Sequence, residues 1–254
     1  MAKPEAASRW ARLRRRWSRW DTVLVVVSLV LALGAGLPLP GYAIGPGPVL
    51  AVDELVVVGG ARADDPAAGE VLVATVALHP LSPFWAARAW FDADIETLPE
   101  DAVVSDDQRA EDMAVSRNAA VDVALARLVG AGLLDGGELP AVEVDAEGVD
   151  GNSAGLAFAL GILERLAPGS LTGEMRVGAT GTIGSGGRVG PVASVAFKAT
   201  AMRRAGADLF LVPPGQASQA RFPAGPQLEV VEVASLDDAL AALARRGGDL
   251  GPLG

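Results

Sequence analysis

The chain has no cysteine, a single histidine and, among 21 cationic side chains, only two lysines, Lys3 and Lys198. Without cysteine there are no disulfides and no thiolate metal sites, which fits any compartment. The one histidine, His79, has no clustered partners and predicts no metal centre. It closes an apolar run beside Pro80, a strand-end or surface role. No G-x-x-x-x-G-K-[ST] motif is present: the segment Gly184–Gly190 lacks the lysine and reads as a hairpin, so no ATPase is expected. Neither an internal repeat nor a charge-run linker interrupts the chain after residue 44, and no cofactor is implied.

The 254 residues carry a net charge of −10, and half of them are hydrophobic, ample for a core in one or two domains. The charge is unevenly placed. Residues 1–20 hold Lys3 and six arginines against Glu5, a net +6, so the remainder carries −16. Thr22 to Pro40 then pass without one charge. At ~1.5 Å per residue that run spans roughly 28 Å, about one hydrocarbon core, and predicts a transmembrane helix over 21–40. The basic flank comes first, which places the tail in the cytoplasm and everything after the span outside it. Beside a membrane span such a tail reads orientation and anionic lipid rather than nucleic acid. A cleaved signal peptide, cut near Gly41-Tyr42-Ala43, is the alternative.

From there strands and helices alternate. The expected fold class is α/β (α+β), one domain over 44–247, followed by a disordered tail over 248–254. Residues 44–60 read as turn and strand, with Gly45-Pro46-Gly47-Pro48 as the turn. Glu70 to Leu78 is a strand. Ser82 to Phe91 reads as a short amphipathic helix whose aromatics pack in the core, a membrane-facing or partner-binding patch being the other option. Residues 92–110 are an acidic solvated loop, and Met113 to Val129 a helix. Pro140–Val144, Arg176–Ile183, Ala207–Val212 and Leu228–Val233 are strands. Gly184–Gly187 is a hairpin turn, Pro191–Arg204 a helix, and Leu236–Arg245 a last helix capped by Ser235.

The chemistry centres on Asp150-Gly151-Asn152-Ser153-Ala154-Gly155. An apolar run, Leu156 to Leu163, follows at once, so Ser153 stands near a helix N-terminus, where orphan N–H groups and the dipole favour negative charge. Small neighbours leave its hydroxyl approachable. Ser153 is therefore a nucleophile or an ordinary N-cap. The segment also fits G-x-S-x-G, but that elbow needs a later histidine, and His79 lies upstream. Another base is required. Lys198 sits among apolar and small residues in a chain that otherwise uses arginine. Burial lowers an amine's pKa toward the range a base needs, whereas arginine does not lose its proton. The plain alternative is a lysine snorkelling from a helix edge.

DGNSAG, then ATGTIGSGGRVGPV, then a helix bearing Lys198 resembles the proteolytic domain of Lon proteases, over roughly residues 44–215. VLVATV, the Met113–Val129 helix, PGSLTGEMRVGATGTI and AGADLFLVP have counterparts there. The charge-free span, GPGP and SPFWAARAWFDADIETLP resemble the bacterial membrane-anchored Lon-like proteases that usually carry a PDZ domain. The resemblance implies a Lon proteolytic-domain-like fold behind one transmembrane helix. It also implies a membrane-bound, ATP-independent serine endopeptidase in which Ser153 is nucleophile and Lys198 general base. Thr180 falls on a threonine that hydrogen-bonds around the dyad, and Asp150 on the acid before the nucleophile. Gly151, Asn152 and Ala154 form the turn that supplies oxyanion donors. Polypeptide substrates and a homo-hexameric ring are implied, with no metal. Two departures stand out. Asn152 replaces a residue that is often proline, and residues 130–139 fill the place of the PDZ domain. A silent Lon-like scaffold, and an esterase or amidase with the same dyad, are the competing readings.

Overall fold

Val71–Ala74 and Leu209–Val212 are apolar at every position, so strands formed by them need cover on both faces. The computed structural model describes residues 19–59, 69–137, 139–145 and 152–254. In chain order the elements are α1 (Arg19–Ala35), β1 (Tyr42–Ala51), β2 (Val56–Val58), β3 (Glu70–Pro80), α2 (Pro83–Phe91), β4 (Glu96–Leu98), α3 (Asp106–Gly130), β5 (Val142–Val144) and α4 (Gly155–Leu166). There follow β6 (Arg176–Ala179), β7 (Thr182–Ile183), β8 (Val189–Gly190), α5 (Val195–Arg204), β9 (Leu209–Val212), α6 (Ala217–Ala224), β10 (Glu229–Glu232) and α7 (Leu236–Ala244).

Six strands make one sheet in the order β10-β9-β6-β3-β1-β4. The strands β10, β9, β6 and β3 run parallel, while β1 is antiparallel to both β3 and β4. Strand alternation sorts the apolar runs onto two faces. Val71, Val73, Leu209 and Leu211 join the core under α3, α4 and α7, whereas Leu72, Ala74, Phe210 and Val212 join the core under α5 and α6. The class is thus mixed α/β with helices on both sides of the sheet.

Several expectations from sequence are corrected. The charge-free run is helical only to Ala35, because Gly36, Pro38 and Pro40 beyond it do not sustain a helix. Among the described residues no helix is long and apolar enough to cross a membrane. Gly45-Pro46-Gly47-Pro48 is not a turn but the middle of β1, with a register break between Pro46 and Val49. Only Tyr42–Ile44 pairs with β4, so the prolines fall where β1 is a sheet edge and bulged, where a missing N–H is tolerated. The acidic stretch 92–110 contains β4 and the start of α3, whose N-cap Ser105 accepts from Gln108 N–H. Helix α2 buries none of its residues, against the core reading of its aromatics. Pro191–Arg204 is helical only from Val195. Helix α6 was not expected between the strands at 207–212 and 228–233; its buried stripe Ala217, Ala220 and Ala224 packs it into the core under α5. The tail 248–254 is ordered: Leu250 and Leu253 are buried, and Arg127 Nη2 donates to Leu253 O at 2.6 Å.

Helix α4 is the centre of the larger core, buried continuously from Gly155 to Leu163. Gly161 lies against the fully buried Val52, and a Cβ there would overlap the valine side chain. Gly161→Ala is therefore expected to destabilise by about 1–3 kcal/mol in urea unfolding despite alanine's better helix propensity. Adding Val52→Ala should recover part of that loss, since the two changes share one space. Strictly additive effects would show that the contact is not what matters.

Candidate active site

Ser153 lies in a single 3₁₀ turn, Asn152–Ala154, that runs straight into α4. Ala154 occupies the N-cap position of α4 without a side-chain cap bond, so the serine is not the cap. Its hydroxyl turns instead to Lys198, whose Nζ stands 2.6 Å from Ser153 Oγ. The same Nζ donates to Thr180 Oγ1 at 3.2 Å. Three residues from three segments meet here: the turn before α4, the end of β6 and the first turns of α5.

Each is held in place by its own backbone. Gly181 N–H donates to Ser153 O at 2.8 Å, and Leu156 N–H donates to Gly181 O at 3.0 Å, which lashes the serine turn to the link between β6 and β7. Thr180 Oγ1 also donates to Ser153 O, at 3.1 Å, and Thr180 N–H to Leu211 O at 3.0 Å. Gly155 permits this closeness: a Cβ there would lie 2.7 Å from Ser116 Oγ and 2.9 Å from Ile183 N. On the lysine side, α5 begins after Ser194, the one described non-glycine residue with positive φ, at 58°. The loop leading into it is clamped by Gln216, which accepts from Val192 N–H at 3.1 Å and donates to Val192 O at 2.7 Å.

Lys198 is 4 % exposed, which rules out the snorkelling alternative, while Ser153 remains partly accessible. Loss of solvation pushes the Lys198 pKa down from 10.5 to about 8. Thr180 is buried as well, so the amine is enclosed by hydroxyls and apolar walls. Below its pKa the ammonium donates to Ser153 Oγ. Above it, the free lone pair is placed to accept the serine proton. With two lysines in the chain, ¹³C-labelled lysine should give two side-chain signals. One is expected to titrate near pH 8; a Lys198 midpoint at 10 or above would rule out the desolvated amine.

Of the residues singled out from sequence, Ser153, Lys198 and Thr180 come together. Asn152 and Ala154 flank the serine, the first exposed and the second buried. Asp150 and Gly151 lie outside the described residues. His79 is elsewhere, stacked on Trp85 with ring centroids 4.1 Å apart. Ser116 was missed. It is buried on α3 and donates to Asn152 O at 2.8 Å, fixing the residue next to Ser153. Its signal was present: Ser116, Ala120, Ala124 and Leu128 form one buried stripe at helical spacing, and a lone hydroxyl in such a stripe needs a partner.

No protein-family model matches the chain, and no curated protein sequence matches it.

Proposed function

We propose that the chain is a membrane-anchored serine endopeptidase with a Ser153–Lys198 dyad, independent of ATP, acting on polypeptides outside the cytoplasmic membrane. The observation that carries the reading is a buried lysine amine 2.6 Å from a partly accessible serine hydroxyl, its pKa lowered to about 8. A Lon-like fold and a ring of six copies follow from the resemblance in DGNSAG and the Lys198 helix.

In this mechanism neutral Lys198 Nζ takes the Ser153 hydroxyl proton as Oγ attacks the peptide carbonyl. The oxyanion forms beside the Asn152–Ala154 turn, where backbone N–H groups and the start of α4 favour negative charge. Collapse of the intermediate breaks the C–N bond, and Lys198 returns the proton to the leaving amine. Water then attacks the ester, giving its proton to Lys198, and the acid leaves as Ser153 is reprotonated. Thr180 orients the amine through the 3.2 Å contact and steadies the serine carbonyl.

The anchor in this reading is the apolar segment that α1 begins: the 17 residues of α1 amount to about 26 Å, short of a full span, and Val23 to Val27, Leu29 and Val30 are exposed along it. Leu37 and Leu39 continue the apolar surface beyond the helix.

The test is release of peptides from an unstructured, fluorescently labelled protein by the full chain in vesicles, without ATP, beside Ser153→Ala. Activity should rise with pH through a midpoint near 8, with about a tenth of dyads in the neutral form at pH 7. Equal release by both chains would establish the scaffold reading instead. Cleavage of ester substrates alone would establish an esterase.

A further inference from the structure

Helix α2 turns little of itself inward. Trp85 stacks on His79, and the Arg88 guanidinium lies 5.7 Å from the Trp85 ring centroid. The remaining aromatics stand in solvent: Phe84 is 52 % exposed, and Trp90 and Phe91 are each 90 % exposed. Phe84 and Phe91 are seven residues apart and share one helix face. Three large rings left uncovered on a nine-residue helix mark a contact surface.

The neighbourhood says what covers them. Helix α1 touches α2 and exposes apolar side chains at every position from Val23 to Val30 except Ser28. Leu39 N–H donates to Leu81 O at 2.9 Å and Leu81 N–H to Gly41 O at 2.9 Å, which pins the chain leaving α1 to the residue before Ser82, the N-cap of α2. Helix α2 therefore starts at the depth where α1 hands over to the sheet. Charge does not oppose lipid: Pro83–Phe91 holds no acid, and its one cation, Arg88, pairs with the C-cap Asp92 at 3.6 Å, so the helix surface is close to neutral in a chain of net charge −10. Aromatic rings with a nearby cation are the composition of the headgroup zone.

We infer that α2 is a second membrane contact, lying in the bilayer interface with Phe84, Trp90 and Phe91 at the acyl boundary. Together with α1 it fixes the tilt of the sheet against the lipid. The inference rests on the reading of α1 as an anchor.

The cysteine-free chain allows single spin labels at Phe91→Cys, Phe222→Cys and Val26→Cys. Each full-length variant is reconstituted in vesicles of phosphatidylcholine and phosphatidylglycerol. Relaxation by oxygen, which concentrates in lipid, is compared with relaxation by a water-soluble nickel chelate. The label at position 91 should favour oxygen several-fold more than the label at 222, whose native side chain is 95 % exposed. A label at 91 as open to the chelate as that at 222, with the label at 26 in lipid, overturns the inference and leaves the anchor standing. A label at 91 closed to both agents and broadened by a neighbouring spin shows a second copy on this face, and overturns it too. A chelate-accessible label at 26 removes the anchor reading, and position 91 then decides the lipid contact by itself.

Discussion

Lys198→Met is expected to lower peptide release by ~10³-fold or more at pH 8.5, because the base that frees the serine proton is gone. Methionine keeps the length and volume of the side chain, so the buried site between α4 and α5 should keep its shape. No imidazole is ready to substitute, since the only histidine is stacked on Trp85. Lys198→Arg should be equally inactive, since a guanidinium keeps its proton. Ser153→Ala should fall to a similar floor, and combining it with Lys198→Met should lower it no further, because the two residues act as one unit. Initial rates on an unstructured polypeptide measure all four chains. An arginine variant retaining more than about a tenth of the activity would mean that charge, not proton transfer, is what Lys198 supplies.

The same substitution should stabilise the fold. Lowering the Lys198 pKa from 10.5 to about 8 means that burying the ammonium costs about 3 kcal/mol at neutral pH. Methionine removes that cost but leaves the Ser153 and Thr180 hydroxyls without their amine partner, at about 1 kcal/mol. A net gain of about 1–3 kcal/mol is expected below pH 8. Between pH 8 and 10.5 the folded chain has shed the Lys198 proton while the unfolded chain still holds it. The parent's stability therefore rises with pH in that window, and the variant's advantage shrinks until it is gone above 10.5. Urea unfolding of both chains at pH 7, 8.5 and 10 reads the difference. An advantage that stays flat across this range would show that Lys198 is not a buried cation.

The dyad was legible because its residue types are scarce where they stand. A serine amid small residues before an apolar run, and a lysine in a chain that prefers arginine, are chemical signals that survive without coordinates. The strands at 70–78 and 207–212 were equally plain, since continuous apolar runs force cover on both faces. What stayed hidden depends on partners distant in sequence. GPGP reads as a turn until β4 is seen to pair with only one end of β1, leaving the prolines on an edge. Leu250 and Leu253 look like spare residues until α3 and α7 offer them a core. The aromatics of α2 break the general rule that large apolar side chains are inside. Ser116 shows a subtler limit: its helical stripe was visible, but the carbonyl it serves is 36 residues away.

The carbonyl of Ser153 takes donors from both Gly181 N–H and Thr180 Oγ1, and Ser116 grips the carbonyl before it. The Ser153 carbonyl and the one before it are thus tied down by several bonds at once, in a packed interior. In the proposed mechanism readiness is then an equilibrium of the proton on Lys198, set by the surrounding acidity rather than by a rearrangement of these two carbonyls.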